Sequence, residues 1–321
     1  MKVRFLEKVK IENSLALVAL VVLFILSSIA SPYFLQVGNL LNILKQVSYS
    51  GIIGLGIAFV IIAGGIDLSV GSMTAFIGAI AIVIVNAFGG GPWAIVCAWV
   101  GAVGLGAICG FFNGFLVTKG RIAPFIVTLG TMAIFRSLTL YLGNAGQFVS
   151  RSSMYGDMGM SSVLGVPTAI WIFFLLAFLL SGLLNRTRFG RYSCAVGANE
   201  KVAGYAAINV NFTRMMTYVI TGSMVGVTGL LLSSRMNSIN SSNTAVNFEM
   251  DAIAAVVIGG TPMTGGRGTI WGVVIGAIIL GMINNMLNML SVSAYLQGTV
   301  KGLVIIAAVF IQRGSGKGAR A

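Results

Sequence analysis

NRTRFGRYSCAVGANEKVAGYAAINVNFTR, residues 185–214, is the one long polar passage in a chain that otherwise runs from one apolar segment to the next. It carries Arg186, Arg188, Arg191, Lys201 and Arg214 against a single acid, Glu200. The apolar runs on either side, residues 167–184 and 215–234, approach the roughly 20 residues that cross a bilayer. A charged stretch so bounded reads as an excursion into water between two membrane spans. Inside it, Asn199 suits an N-cap and Glu200 a first helical turn, and Val202, Tyr205 and Ala206 make a narrow apolar face before Asn209 ends the helix. Ala203, Gly204, Ala206 and Ala207 keep its surface low. A helix this short is marginal alone, so contacts on both sides are expected to hold it.

Working outward, the 321 residues are 57% hydrophobic and only 8% charged, with a mean hydropathy of +0.97. That excludes a soluble globular protein. Alternating strands of about ten residues are missing, so the class is an all-α polytopic membrane protein rather than a barrel. The 43 glycines suit closely packed membrane helices. A net charge of +13 would suggest nucleic acid in a soluble protein, but these cations sit in short loops where membrane orientation explains them, and no nucleic-acid partner is expected. Cys97, Cys109 and Cys194 have neither metal-ligand nor redox spacing and read as packing residues.

The N-terminal segment carries Lys2, Arg4, Lys8 and Lys10 before an apolar run ending at Ser28, Ile29 and Ala30. It resembles a secretory signal, but the many spans that follow favour an uncleaved first helix. Further runs lie near 42–63, 70–88, 93–118, 122–143, 167–184, 215–234, 250–260, 269–290 and 295–312. The expectation is about ten spans in one domain, residues 1–321, with both termini on one side. With those termini in the cytoplasm, fifteen basic residues fall inside and three outside, which sets the orientation by the positive-inside rule. Arg136 and Lys301 lie within spans, near ends from which they are expected to snorkel.

Candidate functional residues are few. Asp67 lies in GGIDLSVG between two spans, with Gly64, Gly65 and Gly71 to turn the chain and Ser69 to supply a hydroxyl. Two readings stand: Asp67 caps the following helix, or it lines a substrate path at a broken helix, as in many transporters. Glu249 and Asp251 open another apolar run and suit a helix N-terminus. Gly259, Gly260, Gly265 and Gly266 turn the chain after it, in a segment without the GxxxxGK[ST] pattern of a phosphate-binding loop. Asn284, Asn285 and Asn288 fall within a span, either packing between helices at about 0.6 kcal/mol per hydrogen bond or lining a polar path. AGGIDLSVGSMTAFIGAIA from Ala63 also echoes IGGTPMTGGRGTIWGVVIGAII from Ile258, as an internal repeat would. No histidine accompanies the seven acids, so no catalytic cluster can be assembled.

Four motifs in order resemble one known family: GIDLSVG (65–71), PFIVTLGTMAIFR (124–136), RTRFGRYSCAVGANEKVAGYAAINV (186–210) and DAIAAVVIGGTPMTGGRGT (251–269). The chain is similar nearly end to end to the membrane subunits of ATP-binding-cassette sugar importers of the ribose type. The resemblance implies a ten-helix permease of the fold of the vitamin B12 importer (type II). It would be paired with a second permease copy or a related chain in a bacterial inner membrane, with an ATPase subunit below and a periplasmic or lipoprotein sugar-binding protein above. No cofactor is implied on this chain, since ATP and magnesium would belong to the ATPase. Residues 199–208 would be the coupling helix, with Gly197, Asn199, Glu200, Lys201, Ala203, Gly204 and Ile208 meeting the ATPase. Three positions depart from the family's usual pattern: Gly197-Ala198 where Gly-Gly is common, Ala206-Ala207 where Ser-Gly is, and Ser137 where glycine follows the arginine. The competing expectations are a permease of this fold for branched-chain amino acids or an autoinducer sugar, and an ion-driven secondary transporter.

Overall fold

The computed structural model describes residues 2–317. Arg320, one of the cations counted above, lies outside the described residues. The order is α1 (Lys2–Ala30), α2 (Val37–Ile62), α3 (Val70–Ala87), α4 (Pro92–Thr118), α5 (Pro124–Leu142), β1 (Gln147–Val149), α6 (Ser153–Met160), β2 (Ser162–Val163), β3 (Val166–Pro167), α7 (Thr168–Arg186), α8 (Arg188–Ala198), α9 (Glu200–Tyr205), α10 (Val210–Met236), β4 (Ser238–Asn240), α11 (Phe248–Ile258), α12 (Ile270–Met289) and α13 (Ala294–Lys317). Among the described residues seven helices are long and apolar enough to cross a membrane, namely α2, α3, α4, α5, α7, α10 and α12. The remaining three expected spans fall on α1, α11 and α13. With 11 residues, α11 reaches only about 16 Å, half the hydrocarbon thickness.

Helix α2 is the axis of the bundle. Every residue from Gly51 to Ala63 is buried, because α7, α10, α11 and α12 all pack around it. Its apolar residues therefore face every direction rather than one stripe. The most extensive helix pair is α4 with α10. A Cβ on Gly106 would overlap the carbonyl of Gly222, and one on Gly110 the carbonyl of Tyr218. In return, a Cβ on Gly222 would overlap the carbonyl of Gly106, and one on Gly226 the carbonyl of Ala102. Both helices carry small residues four apart on the shared face, the device by which membrane helices bring their backbones together.

Two ends are distinguishable. At one, β1 pairs antiparallel with β4, Phe148 opposite Ile239, and β2 with β3. There the hydroxyls of Tyr155 and Ser233 meet at 2.6 Å and pin α6 to α10. These two-stranded ribbons are the sole strands among the described residues. At the other end the polar passage folds back on the bundle. It is not a loop: its first residues finish α7, its last begin α10, and α8 and α9 occupy the middle.

The two echoing segments form matching hairpins, α2–turn–α3 and α11–turn–α12, and the hairpins touch. The backbone N–H of Gly266 donates to the carbonyl of Ile62 at 2.8 Å. Gly64 and Gly266 have φ of +79° and +84° at these turns, a region that glycine enters without a Cβ penalty.

Candidate functional site: a surface helix, a three-way joint and a polar cavity

Three caps shape the polar passage. The Thr187 hydroxyl accepts from Gly190 N–H at 3.3 Å and starts α8. Asn199 Oδ1 accepts from Val202 N–H at 3.1 Å and starts α9, as its sequence position predicts. Asn209 does not end that helix but caps the next, accepting from Phe212 N–H at 3.0 Å. Helix α9 stops at Tyr205, and its end is closed by Ala207 N–H to the Gly204 carbonyl and Ile208 N–H to the Ala203 carbonyl. Ala207 takes φ +57° in that cap, the left-handed position usually given to glycine.

The apolar face expected of this helix is turned outward. Val202 is 59% exposed and Tyr205 89%, while Ala203 alone is buried beneath them. Lys201 and Gly204 are exposed, and a Cβ on Gly204 would meet nothing within 4 Å. An open cleft of about 940 Å³ runs between α9 and the α4–α5 turn, past Arg121, Pro124 and Tyr205. Glu200 is engaged within the chain, accepting from Arg214 at 2.9 Å and bracing α9 against α10. Gly197 faces inward: a Cβ there would overlap the Ile62 carbonyl and lie 2.7 Å from Gly266 N. The end of α8 is thus wedged where the two hairpin turns meet. Burial pushes the Cys194 thiol of α8 up, so it packs as a neutral side chain.

Asp67, three residues beyond Gly64, is fully buried. It does not cap α3. Its Oδ1 accepts from the backbone N–H of Ser69 at 2.9 Å and the Ser69 hydroxyl at 2.6 Å, so it closes the turn before the helix, as aspartate does two residues from its donor. Asn113 donates to Ser69 Oγ at 2.9 Å, and the Tyr218 hydroxyl to the Ile66 carbonyl at 3.1 Å. Asp67 Oδ2 and Asn113 Oδ1 are buried without a partner among the described residues. Neither Asp67 nor Ser69 opens onto a described cavity. Because both donors of Ser69 point at Oδ1, Asp67→Asn retains the acceptor and is expected to melt close to wild type in detergent. Asp67→Leu strands two buried donors and is expected to lose about 1–3 kcal/mol. Equal melting of the two variants would show that the turn does not depend on this acceptor.

The three asparagines of α12 separate. Asn285 exchanges hydrogen bonds with Asn39 at 2.8 and 3.2 Å and ties α12 to the first turn of α2. Asn288 is exposed and accepts from Gln297 at 2.9 Å. Asn284 lines a cavity of about 190 Å³ between α2, α10, α11 and α12.

Arg136 and Lys301, expected to snorkel, instead have internal partners. Arg136 donates at 3.1 Å to the carbonyls of Ser241 and Thr244, and Lys301 Nζ lies 3.1 Å from both oxygens of Asp251. A charge inside a span is least costly when paired, and each found its partner on a distant segment. Of the expected turn glycines, Gly71 lies in the first turn of α3, where a Cβ would overlap the Glu249 carboxylate, and Gly259 caps α11 against the carbonyl of Gly272. Sequence reasoning passed over Asn113 and Gln46. A lone asparagine in GFFNGF is the kind of polar residue in a span that marks a buried network.

Comparison with known proteins decides what this architecture belongs to. Residues 39–309 match the family described as branched-chain amino acid transport system / permease component. The chain belongs to that permease family. The permease is 39% identical over 312 residues to the ribose import permease protein RbsC of Escherichia coli (strain K12), covering 96% of each chain. It is 37% identical over 293 residues to the D-allose transport system permease protein AlsC of the same strain, covering 91% of this chain and 89% of the other. To the L-arabinose transport system permease protein AraH of that strain it is 34% identical over 300 residues, with 92% and 89% covered. The permease is therefore a multi-pass transport subunit of an ATP-binding-cassette importer and not an enzyme.

Proposed function

We propose that this permease carries a monosaccharide, a pentose or hexose, into the cytoplasm across a bacterial inner membrane, powered by a separate ATPase and fed by a sugar-binding protein. In this reading α1, α2, α3, α4, α5, α7, α10, α12 and α13 make nine passes and α11 completes the tenth together with the non-helical residues 259–269 that follow it, with both termini in the cytoplasm, in the manner of the vitamin B12 importer. Two permease chains pair around the path. The single observation that carries the reading is α9: capped at both ends, braced by Arg214, and presenting Val202 and Tyr205 to solvent. An exposed aromatic on a six-residue helix with no described function inside the bundle suits a groove on another protein. Behind it, Gly197 at the end of α8 presses on both hairpin turns, so a push on α9, passed through the end of α8, reaches α2 and the turn between α11 and α12.

The family's description names branched-chain amino acids, whereas the relatives above are named for sugars. Sugar is favoured because those relatives match along about nine tenths of the chain. The test is reconstitution. Proteoliposomes holding the permease, its ATPase and its binding protein are expected to take up ribose, allose or arabinose only with ATP, and the permease alone to take up none. Uptake by the permease alone under an ion gradient would overturn the ATP-driven reading, and uptake of leucine in preference to any sugar would overturn the sugar reading.

A further inference from the structure

Resting on the importer reading, we infer that the cavity between α2, α10, α11 and α12 is a monosaccharide-binding site within the permease itself, with the Asn284 amide as its principal hydroxyl reader. Its volume of about 190 Å³ is the room of about six liquid waters, on the scale of one pentose ring. The polar groups around it are Gln46, Ser50, Tyr49, Arg235, Asp251 and Asn284.

The state of those groups selects the ligand. Among the three asparagines of α12, Asn284 alone faces the cavity, and its Oδ1 is buried with no partner among the described residues. A buried carbonyl left in that condition needs a donor, and a sugar hydroxyl is one. The charges, by contrast, are already engaged. Both oxygens of Asp251 are held by Lys301 at 3.1 Å, and the Arg235 guanidinium lies 5.3 Å from the centre of the Tyr49 ring. What the cavity offers is amide, hydroxyl and aromatic surface, which suits a neutral polyol. An amino acid would have to displace Lys301 from Asp251 with its ammonium and draw Arg235 off the Tyr49 ring with its carboxylate.

The cavity also sits where it would respond to the cycle. Its walls belong to α2, α10, α11 and α12, and the turns that end α2 and join α11 to α12 are the ones wedged by Gly197. Displacing that joint moves the walls against one another, so occupancy and α9 position are linked through two rigid hairpins.

The experiment is saturation-transfer NMR on the detergent-solubilised permease–ATPase complex without binding protein, using D-ribose and L-leucine as probes. Ribose is expected to receive saturation from the wild-type complex and leucine not. Asn284→Leu, of nearly equal size, is expected to weaken ribose binding roughly five- to tenfold, the effect of one lost hydrogen bond, while the complex still hydrolyses ATP. Should Asn284→Leu fail to assemble, Gln46→Leu on the exposed rim carries the same expectation. An equal ribose signal from wild type and variant, no ribose signal from wild type, or a leucine signal in its place would each overturn the site. None of those results touches ATP-driven uptake by the reconstituted system, whose absence would instead sink the importer reading.

Discussion

Gly106→Leu is expected to abolish the folded subunit, while Gly104→Leu, two residues away on the same helix, is expected to leave its melting unchanged. At Gly106 even a single Cβ overlaps the carbonyl of Gly222, which is backbone and has no rotamer to change. The two helices would have to part, and the same separation would undo the contacts of Gly110 and Gly226 one turn to either side. Overpacking a core against side chains costs about 1–3 kcal/mol. Against backbone, along the most extensive helix pair in the bundle, the cost is expected to exceed about 4 kcal/mol, the range reserved for disrupted architecture. Gly104 points away from that seam and a Cβ there meets nothing within 4 Å, so leucine adds only apolar surface. The yield of monodisperse subunit in detergent and its apparent melting temperature read the contrast. Equal behaviour of the two variants would mean that α4 and α10 do not meet through this stripe.

That stripe also marks how far the sequence could be read. Hydropathy located the long spans to within a few residues except at polar ends. Helix α2 begins at Val37 rather than near 42, because Asn39 and its partner Asn285 satisfy each other, and α10 begins at Val210 because Asn209 caps it. The cap at Asn199 was legible because capping is a local matter of three residues. What was not legible is everything that depends on a partner far along the chain. Lys301 and Asp251 are 50 residues apart, Arg136 and Ser241 105 apart, and nothing in either neighbourhood names the other. Composition likewise indicated close packing but not that Gly106 faces Gly222, or that Gly197 belongs to an internal joint rather than to the outer surface of the polar passage. The echo between the two glycine-rich segments was readable as pattern. Its physical content, two like hairpins whose turns share a hydrogen bond, required the fold.

The distinction between Gly197 and Gly204 gives the second large effect. Gly204→Trp is expected to leave the permease folded and inserted, with melting unchanged, yet to cut ATP-driven uptake by roughly ten- to a hundredfold. The subunit tolerates the side chain because Gly204 lies on the open face of α9, beside Tyr205 and Lys201, with nothing within 4 Å of its Cβ position. A partner seated on that face does not. An indole forced into a fitted interface costs about 1–3 kcal/mol, roughly five- to 150-fold in affinity and so bracketing that loss, and any residual complex would hydrolyse ATP without moving the helix. Gly197→Trp should fail differently, because its overlap is with Ile62 and Gly266 inside the chain, so the subunit itself would be lost. Co-purification of the ATPase with each variant, alongside melting of the permease alone, separates the two. Uptake and co-purification unchanged in Gly204→Trp would remove α9 as the docking element and leave the Gly197 joint without a driver at the surface.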